Sequence, residues 1–217
     1  MHSSFSSFSD RLRHALDGPL PGHDAHDTMA PRYQARRSAM SVADRACREA
    51  GVLALFYPGR NREPVLVLTR RRDDLPDHAG QVSFPGGQRH DGESLPETAL
   101  REAQEEIDLP TGAVDLTGSL TPLYIPPSNF CVHPFVALVA EPPDLRPTDA
   151  EVGRILHVPL STLLAPDART VEVWTLHGME VEVPFYDVEG ETVWGATAMM
   201  LAELLAVIRP AATTAED

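Results

Sequence analysis

The chain contains no lysine. All 18 of its basic residues are arginine, set against 32 Asp and Glu, which leaves a net charge of −14. That balance argues against a general binder of nucleic acid or of anionic membranes, since both reward basic patches. It does not exclude a phosphorylated small molecule, because metal ions can bridge like charges. Long apolar runs are missing too: none approaches the roughly 20 residues a membrane helix needs. The opening MHSSFSSFSDRLRHALDG lacks the apolar centre of a signal peptide, so a cytoplasmic location is expected. Cysteine is scarce. Cys47 and Cys131 lie far apart with no CxxC spacing, and reduced thiols are the expectation. Aromatics make up 6% of the chain. Trp174, Trp194, Tyr124 and Phe130 are the candidates for stacking on a base, although buried packing suits each better. The histidines show no metal-ligand spacing.

With 217 residues the chain can form one domain with a sizeable core and an added element. Residues 1–42 read as an N-terminal arm, partly irregular or helical, and 43–210 as a single domain with a flexible tail at 211–217. Phe8 to Leu16 suits a short amphipathic helix. PLPGHDAHDT reads as a solvated linker, because nothing nearby would rigidify its His and Asp as metal ligands. GVLALFYP (51–58) and PVLVLTRR (64–71) read as paired strands about a GRNRE turn. Further strand candidates are VDLTGSLTPL, FVALVA (135–140) and the pair TVEVWTLHG and EVEVPFYDV. ATAMMLAELLAVI (196–208) has helical periodicity and is expected to stop before Pro210. Strands and helices mix without βαβ alternation, so an α+β domain with a mixed sheet between helices is expected.

One helix carries unusual chemistry. Ser94-Leu95-Pro96-Glu97 is a strong start, with Ser94 as cap, Glu97 closing a capping box and Pro96 tolerated in the first turn. Leu95, Ala99, Ala103 and Ile107 recur every fourth residue and form an apolar face. Glu102, Glu105 and Glu106 fall at i, i+3 and i+4, which crowds three carboxylates on an adjoining face. Such crowding destabilises an isolated helix by some tenths of a kcal/mol per pair. A hard divalent cation reverses that sign, since it takes anionic oxygen ligands and keeps water and phosphate as the rest.

The segment GQRHDGESLPETALREAQEEIDL resembles the Nudix box, G-x5-E-x7-R-E-U-x-E-E-x-G-U with U apolar. Gly87, Glu93, Arg101, Glu102, Glu105 and Glu106 occupy the fixed positions, and a chance match is on the order of 10⁻⁷ per starting point at ordinary residue frequencies. Asp108 stands where the family has Gly, a position for which a left-handed residue is needed. The resemblance implies a Nudix fold and Mg²⁺ or Mn²⁺ held by Glu102, Glu105 and Glu106. It also implies catalytic roles for Glu105 and Glu106, with Glu93 and Arg101 as an orienting ion pair. Glu151, in DAEVGRI, is the candidate for a further ligand or base.

Upstream, LVLTRRRDDLPDHAGQVSFPGG (66–87) resembles the signature preceding the box in bacterial coenzyme A pyrophosphatases. Leu68, Thr69, Arg71, Gly80, Phe84, Pro85, Gly86 and Gly87 match, whereas Val67, Arg72 and Pro76 depart. The resemblance implies hydrolysis of the diphosphate of coenzyme A or acyl-coenzyme A to 3′,5′-ADP and (acyl-)4′-phosphopantetheine. Arg70, Arg71, Arg72, Gly80, Gln81, Phe84, Gly86 and Gly87 are then the candidate substrate contacts, with arginine suited to bidentate phosphate recognition. The alternatives are a Nudix hydrolase of ADP-ribose or another nucleoside diphosphate derivative, and a Nudix-fold binding module without catalysis. Expected partners are therefore a small nucleoside diphosphate and, as in other family members, a second copy in a homodimer.

Overall fold

A computed structural model describes residues 5–32 and 41–213, with side chains described as far as Arg209. Strands β1 (Arg48–Pro58), β2 (Pro64–Arg71), β3 (Val82–Ser83), β4 (Gly86–Gln88), β5 (Asp115–Ser119), β6 (Leu123–Ile125), β7 (Phe130–Leu138) and β8 (Val152–Pro159) form one mixed sheet. Its spine runs β3-β2-β1-β7-β5, with β4 on β1, β6 on β7 and β8 on β2. β1 and β7 are parallel, in register from Arg48↔Phe130 to Phe56↔Leu138, and the other pairings are antiparallel.

The alternation of side chains along a strand assigns each face its helix. Leu53 and Leu55 of β1, Val67 of β2 and Ala137 of β7 turn to one side, where they meet Ala99, Ala103 and Ile107 of α3 (Leu95–Ile107). Ala54, Phe56, Leu66, Leu68 and Val136 turn to the other, against Leu201, Leu204 and Leu205 of the C-terminal helix (Gly195–Thr213). The result is the expected α+β arrangement of a mixed sheet between helices. Each buried Leu or Phe here contributes about 1.5–3 kcal/mol relative to exposure.

Helix α1 (Phe5–Leu16) also covers this second face, burying Phe5, Phe8 and Leu12, with Phe8 edge-on to Phe56 at 5.1 Å between ring centres. PLPGHDAHDT is not a solvated linker. It contains α2 (Gly22–Asp27), and His26 is fully buried against Glu203 of the C-terminal helix, Nε2 to Oε2 at 2.9 Å. Glu203 also accepts from the Gly22 N–H and from the Thr121 N–H and hydroxyl. A short linker thus becomes ordered because a carboxylate distant in sequence satisfies its donors.

A second, antiparallel sheet of three strands has the order β11-β10-β9, from β9 (Arg169–Leu176), β10 (Met179–Val188) and β11 (Glu191–Trp194). The short α4 (Leu160–Leu164) leads into it, and the C-terminal helix, α5, follows it. α5 runs through Pro210 instead of stopping before it, reaching Thr213 in the segment expected to be a tail. Proline forfeits one helical hydrogen bond, but its fixed φ is itself helical. Residues 1–4 and 33–40 of the expected arm and 214–217 of the expected tail lie outside the described residues. The cysteines correct a further expectation. The parallel pairing of β1 and β7 brings Cys47 and Cys131 together as a disulfide, with Cα atoms 5.8 Å apart across 84 residues of sequence.

Candidate active site

The Glu-rich helix starts as its sequence dictates. The Glu97 carboxylate accepts from the Ser94 N–H at 2.8 Å and from its hydroxyl at 2.7 Å, and these bonds hold Glu97 below its ordinary pKa. The helix ends at Asp108, whose backbone is left-handed (φ 56°, ψ 36°) with its N–H on the Gln104 carbonyl. Asp is among the few residues that tolerate this conformation, so it serves the turn where the family has Gly.

Arg101 organises the polar face. Its Nε donates to Glu93 Oε1 at 2.6 Å and its Nη2 to Oε2 at 3.1 Å, a bidentate pair. Nη1 donates to Glu102 at 2.8 Å and Glu105 at 2.9 Å, and Nη2 also donates to the Gln88 carbonyl at 3.1 Å. Glu93 accepts in addition from the His90 N–H and the Thr98 hydroxyl. Arg101 first, then His90, lowers the Glu93 pKa to about 2 against the opposing effect of burial. It is therefore ionised at neutral pH.

Glu106 has the opposite environment. Burial pushes its carboxyl up to about 8, with the charges of Glu102 and Asp149 adding to the effect. The Gly86 N–H, donating at 3.2 Å, and the Arg71 charge oppose it. A carboxylate in that position is short of positive charge. Beside it, the Glu102 carboxylate rests on the backbone of Gly87, where a Cβ would fall 2.5 Å from its carbon. Gly86, at φ 153° with its backbone against Gly51 and Val52, leaves no space for a side chain either. Gly86 thus lets β4 lie tightly on β1, and Gly87 leaves room for the Glu102 side chain.

Parity along β2 separates Arg70 from Arg71, and Arg72 follows the strand. Arg71 lies on the α3 side of the sheet, paired with Glu151 at 2.7 Å and close enough to act on Glu106. Arg70 lies on the other side, held by Glu191 of β11 at 2.8 Å and by Asp73 at 2.7 Å. Arg72 is paired with Asp74 at the surface. Gly80 backs onto Arg70 and Asp73 in a tight turn, and the Gln81 carbonyl accepts from the Arg71 N–H while its side chain meets His78. Phe84 is buried in the core and presents no surface to a substrate.

The loop after β7 closes onto the C-terminal end of α3. The Thr148 hydroxyl donates to the Glu105 carbonyl at 2.7 Å and its N–H to the Glu106 carbonyl at 3.1 Å. This anchoring brings Asp149 near Glu106 and leads into Glu151, the partner of Arg71, and Asp149 accepts from the Glu151 N–H at 2.6 Å. Asp149 was not legible as a site residue. Its only signal is its place two residues before Glu151. Of the aromatic candidates, Trp174 and Trp194 meet edge to face at 5.3 Å, Tyr124 lies under Arg45, and Phe130 under Arg48.

Among the described residues no three Asp, Glu, His or Cys side chains already converge as a ligand set; Arg101 holds Glu102 and Glu105, and Gly86 holds Glu106. The donor chemistry nevertheless fits a divalent cation. Three carboxylates share a helix face, and the buried one lacks the charge that a cation supplies.

A helix of carboxylates, entered through a glycine-tight turn and laid on a mixed sheet, defines a Nudix domain. The NUDIX domain family profile matches residues 48–174, and the chain belongs to the Nudix hydrolase family. It is 38% identical over 143 residues to an uncharacterized Nudix hydrolase, NudL, from Photorhabdus laumondii, covering 65% of this chain and 76% of that one. Identity to NudL from Yersinia pestis is also 38%, over 65% and 71% of the two chains. The fold is similar to that of a Nudix hydrolase from Alicyclobacillus acidocaldarius, with a TM-score of 0.52 and 18% identity over 77% of this chain and 93% of that one. Among the described residues no helix is long and apolar enough to cross a membrane.

Proposed function

We propose that the protein is a metal-dependent pyrophosphohydrolase that cleaves the diphosphate of coenzyme A or an acyl-coenzyme A. The observation that carries this reading is the placement of Arg71, paired with Glu151 and near enough for its charge to act on Glu106, on the strand and turn whose sequence, LTRRRDDLPDHAGQVSFPGG, resembles that of coenzyme A pyrophosphatases. Glu102, Glu105 and Glu106 would hold Mg²⁺ or Mn²⁺, which would supply charge neutralisation at the diphosphate and a more acidic water. Arg101, fixed by Glu93, aims Glu102 and Glu105. Arg71 exchanges Glu151 for a phosphate oxygen, and Glu151, released, accepts the water proton. The water oxygen bonds to one phosphorus, the bridging P–O bond breaks, and the proton leaves with the departing phosphate. Gly86 and Gly87 admit the diphosphate to the helix face, with Gly80 and Gln81 shaping the turn beside it. Arg70 and Arg72 serve the turn through Asp73, Asp74 and Glu191.

Incubation with Mg²⁺ and, separately, coenzyme A, acyl-coenzyme A, ADP-ribose and dinucleoside polyphosphates tests this reading. Release of 3′,5′-ADP from coenzyme A or its thioester is expected. Cleavage of ADP-ribose with every coenzyme A species untouched would assign the enzyme to the other nucleoside diphosphate substrates.

A further inference from the structure

Glu93 reaches Arg101 because residues 89–93 fold back over the start of α3, and this turn is fastened to β1. The Arg89 N–H donates to the Glu49 carbonyl at 2.9 Å, and its guanidinium pairs with the Glu49 carboxylate at 2.7 Å. On its other side the same guanidinium donates to the Glu93 carbonyl at 3.4 Å. Arg89 therefore sits between β1 and the residue that fixes Arg101.

Its anchor lies at the end of a strand. Glu49 stands one residue outside the pairing of β1 with β4, which begins at Ala50↔Gln88. On the β7 side Glu49 is in register with Cys131, and Cys131 is bonded to Cys47, two residues earlier. The other ties at this end are non-covalent and mostly between exposed residues: the Arg48 N–H to the Asn129 carbonyl at 3.0 Å, the Arg48 guanidinium to the Ser128 carbonyl at 2.7 Å and over the Phe130 ring, the Asn129 amide to the Ala46 carbonyl at 3.5 Å, and His133 at 3.9 Å from the Glu49 carboxylate. Strand ends held in this way fray. A covalent bridge does not. Cys131 is buried, but Cys47 is partly exposed and lines a shallow cavity with Val42, Glu49 and His133, so a reductant has a sulfur to attack.

We propose that Arg89 is a positioning residue for the hydrolysis, and that the Cys47–Cys131 disulfide holds its anchor Glu49 in place, so that reduction slows turnover. The redox step is an exchange with a dithiol. Its thiolate attacks the Cys47 sulfur, its second thiol releases Cys47, and two thiols remain on the protein while the dithiol leaves as a disulfide. Once β1 frays before Ala50, Glu49 no longer holds Arg89, the 89–93 turn shifts, and Glu93 presents Arg101 less well to Glu102 and Glu105. Displacement by as little as an ångström can cost about 100-fold in rate. The loss here is smaller, because His90 and Thr98 still hold the Glu93 carboxylate.

The inference rests on the hydrolase reading only for its kinetic half, so the test has two readouts. Hydrogen exchange across residues 86–94 is measured on metal-free protein, where the Arg89 and His90 amides report the turn directly. Turnover is measured with Mg²⁺ on whichever diphosphate the protein cleaves. Arg89→Gln is expected to speed exchange about tenfold and to lower kcat about fivefold with KM unchanged, and Arg89→Lys to recover part of both. A water-soluble phosphine, which takes the oxygen of one water and leaves two thiols, is expected to produce the same changes in the wild type, with kcat about twofold to fivefold lower. It should add nothing in Arg89→Gln or in the Cys47→Ser/Cys131→Ser double variant. Arg89→Gln indistinguishable from wild type in exchange or in kcat would overturn the proposal, as would a wild type that reduction leaves unchanged in either. Exchange alone decides the clamp, and the substrate panel alone decides the hydrolase reading.

Discussion

Arg101 touches Glu93, Glu102 and Glu105 at once, and the three contacts have different consequences. Glu93 takes the Nε edge of the guanidinium and stays there, whereas in the proposed mechanism Glu102 and Glu105 would leave Nη1 to take a cation. Glu106→Gln removes the buried carboxylate and leaves the shape intact. It is expected to lower kcat at least about 100-fold with little change in melting temperature, and a chelator should abolish turnover of the wild type until Mg²⁺ or Mn²⁺ is restored. A Glu106→Gln enzyme with full turnover would overturn the mechanism. Glu93 gives a pH signature. Its folded pKa, about 2, lies below the ordinary 4.5, so its contribution to stability is complete above pH 4.5 and is lost as pH falls from 4.5 towards 2. The gap in urea midpoint between wild type and Glu93→Gln should therefore be constant near neutrality and shrink across that window.

At the scale of elements, the site is the meeting of one helix with one short strand. α3 was legible because capping, apolar period and acidic spacing agree within a single local stretch. β1 and β2 were legible as short apolar runs bounded by turns, and the two strands of the β9–β10 hairpin as a pair. β4 was not. Three residues of Gly-Gly-Gln carry no strand signal, and only the pairing with Ala50, Gly51 and Val52 makes them one. The glycines follow from that position. In Gly87→Ala the added methyl would fall 2.5 Å from the Glu102 carboxyl carbon, and that carboxylate is the movable partner. The fold should survive with a melting temperature within a few degrees of wild type, while metal affinity, read by Mn²⁺ titration, drops about 10- to 100-fold. Unchanged affinity would show that Glu102 does not need its seat on Gly87. The same logic explains the arginines: three in a row look equivalent in sequence, and only strand parity sends Arg71 to the carboxylates and Arg70 to β11.

Over the whole molecule, distant pairings decide what local reading misses. Cys47 and Cys131 are strangers in sequence until β1 and β7 align in parallel, and the spacing of 84 residues holds no hint of it. The N-terminal segment behaves likewise. Its Ser-, Gly- and Pro-rich composition suggests a loose arm, yet Phe5, Phe8 and Leu12 are buried and α2 is pinned by Glu203. The Glu203 pKa is held down in spite of burial, because His26 and Thr121 donate to it. This anion is fully buried and satisfied by its neighbours, so its removal leaves their donors without an acceptor. Glu203→Ala should cost about 3–5 kcal/mol, as the loss of one partner of a buried pair does, and for a chain of this size that corresponds to roughly 6–20 °C in melting temperature. Calorimetry on the metal-free protein measures it. The network lies on the α5 side of the sheet and the Glu-rich helix on the other, so kcat well below the melting point should stay within about twofold of wild type. A variant that kept its stability would show that α1 and α2 are held by apolar contact alone. One that lost turnover at full stability would show that the two faces of the sheet are coupled.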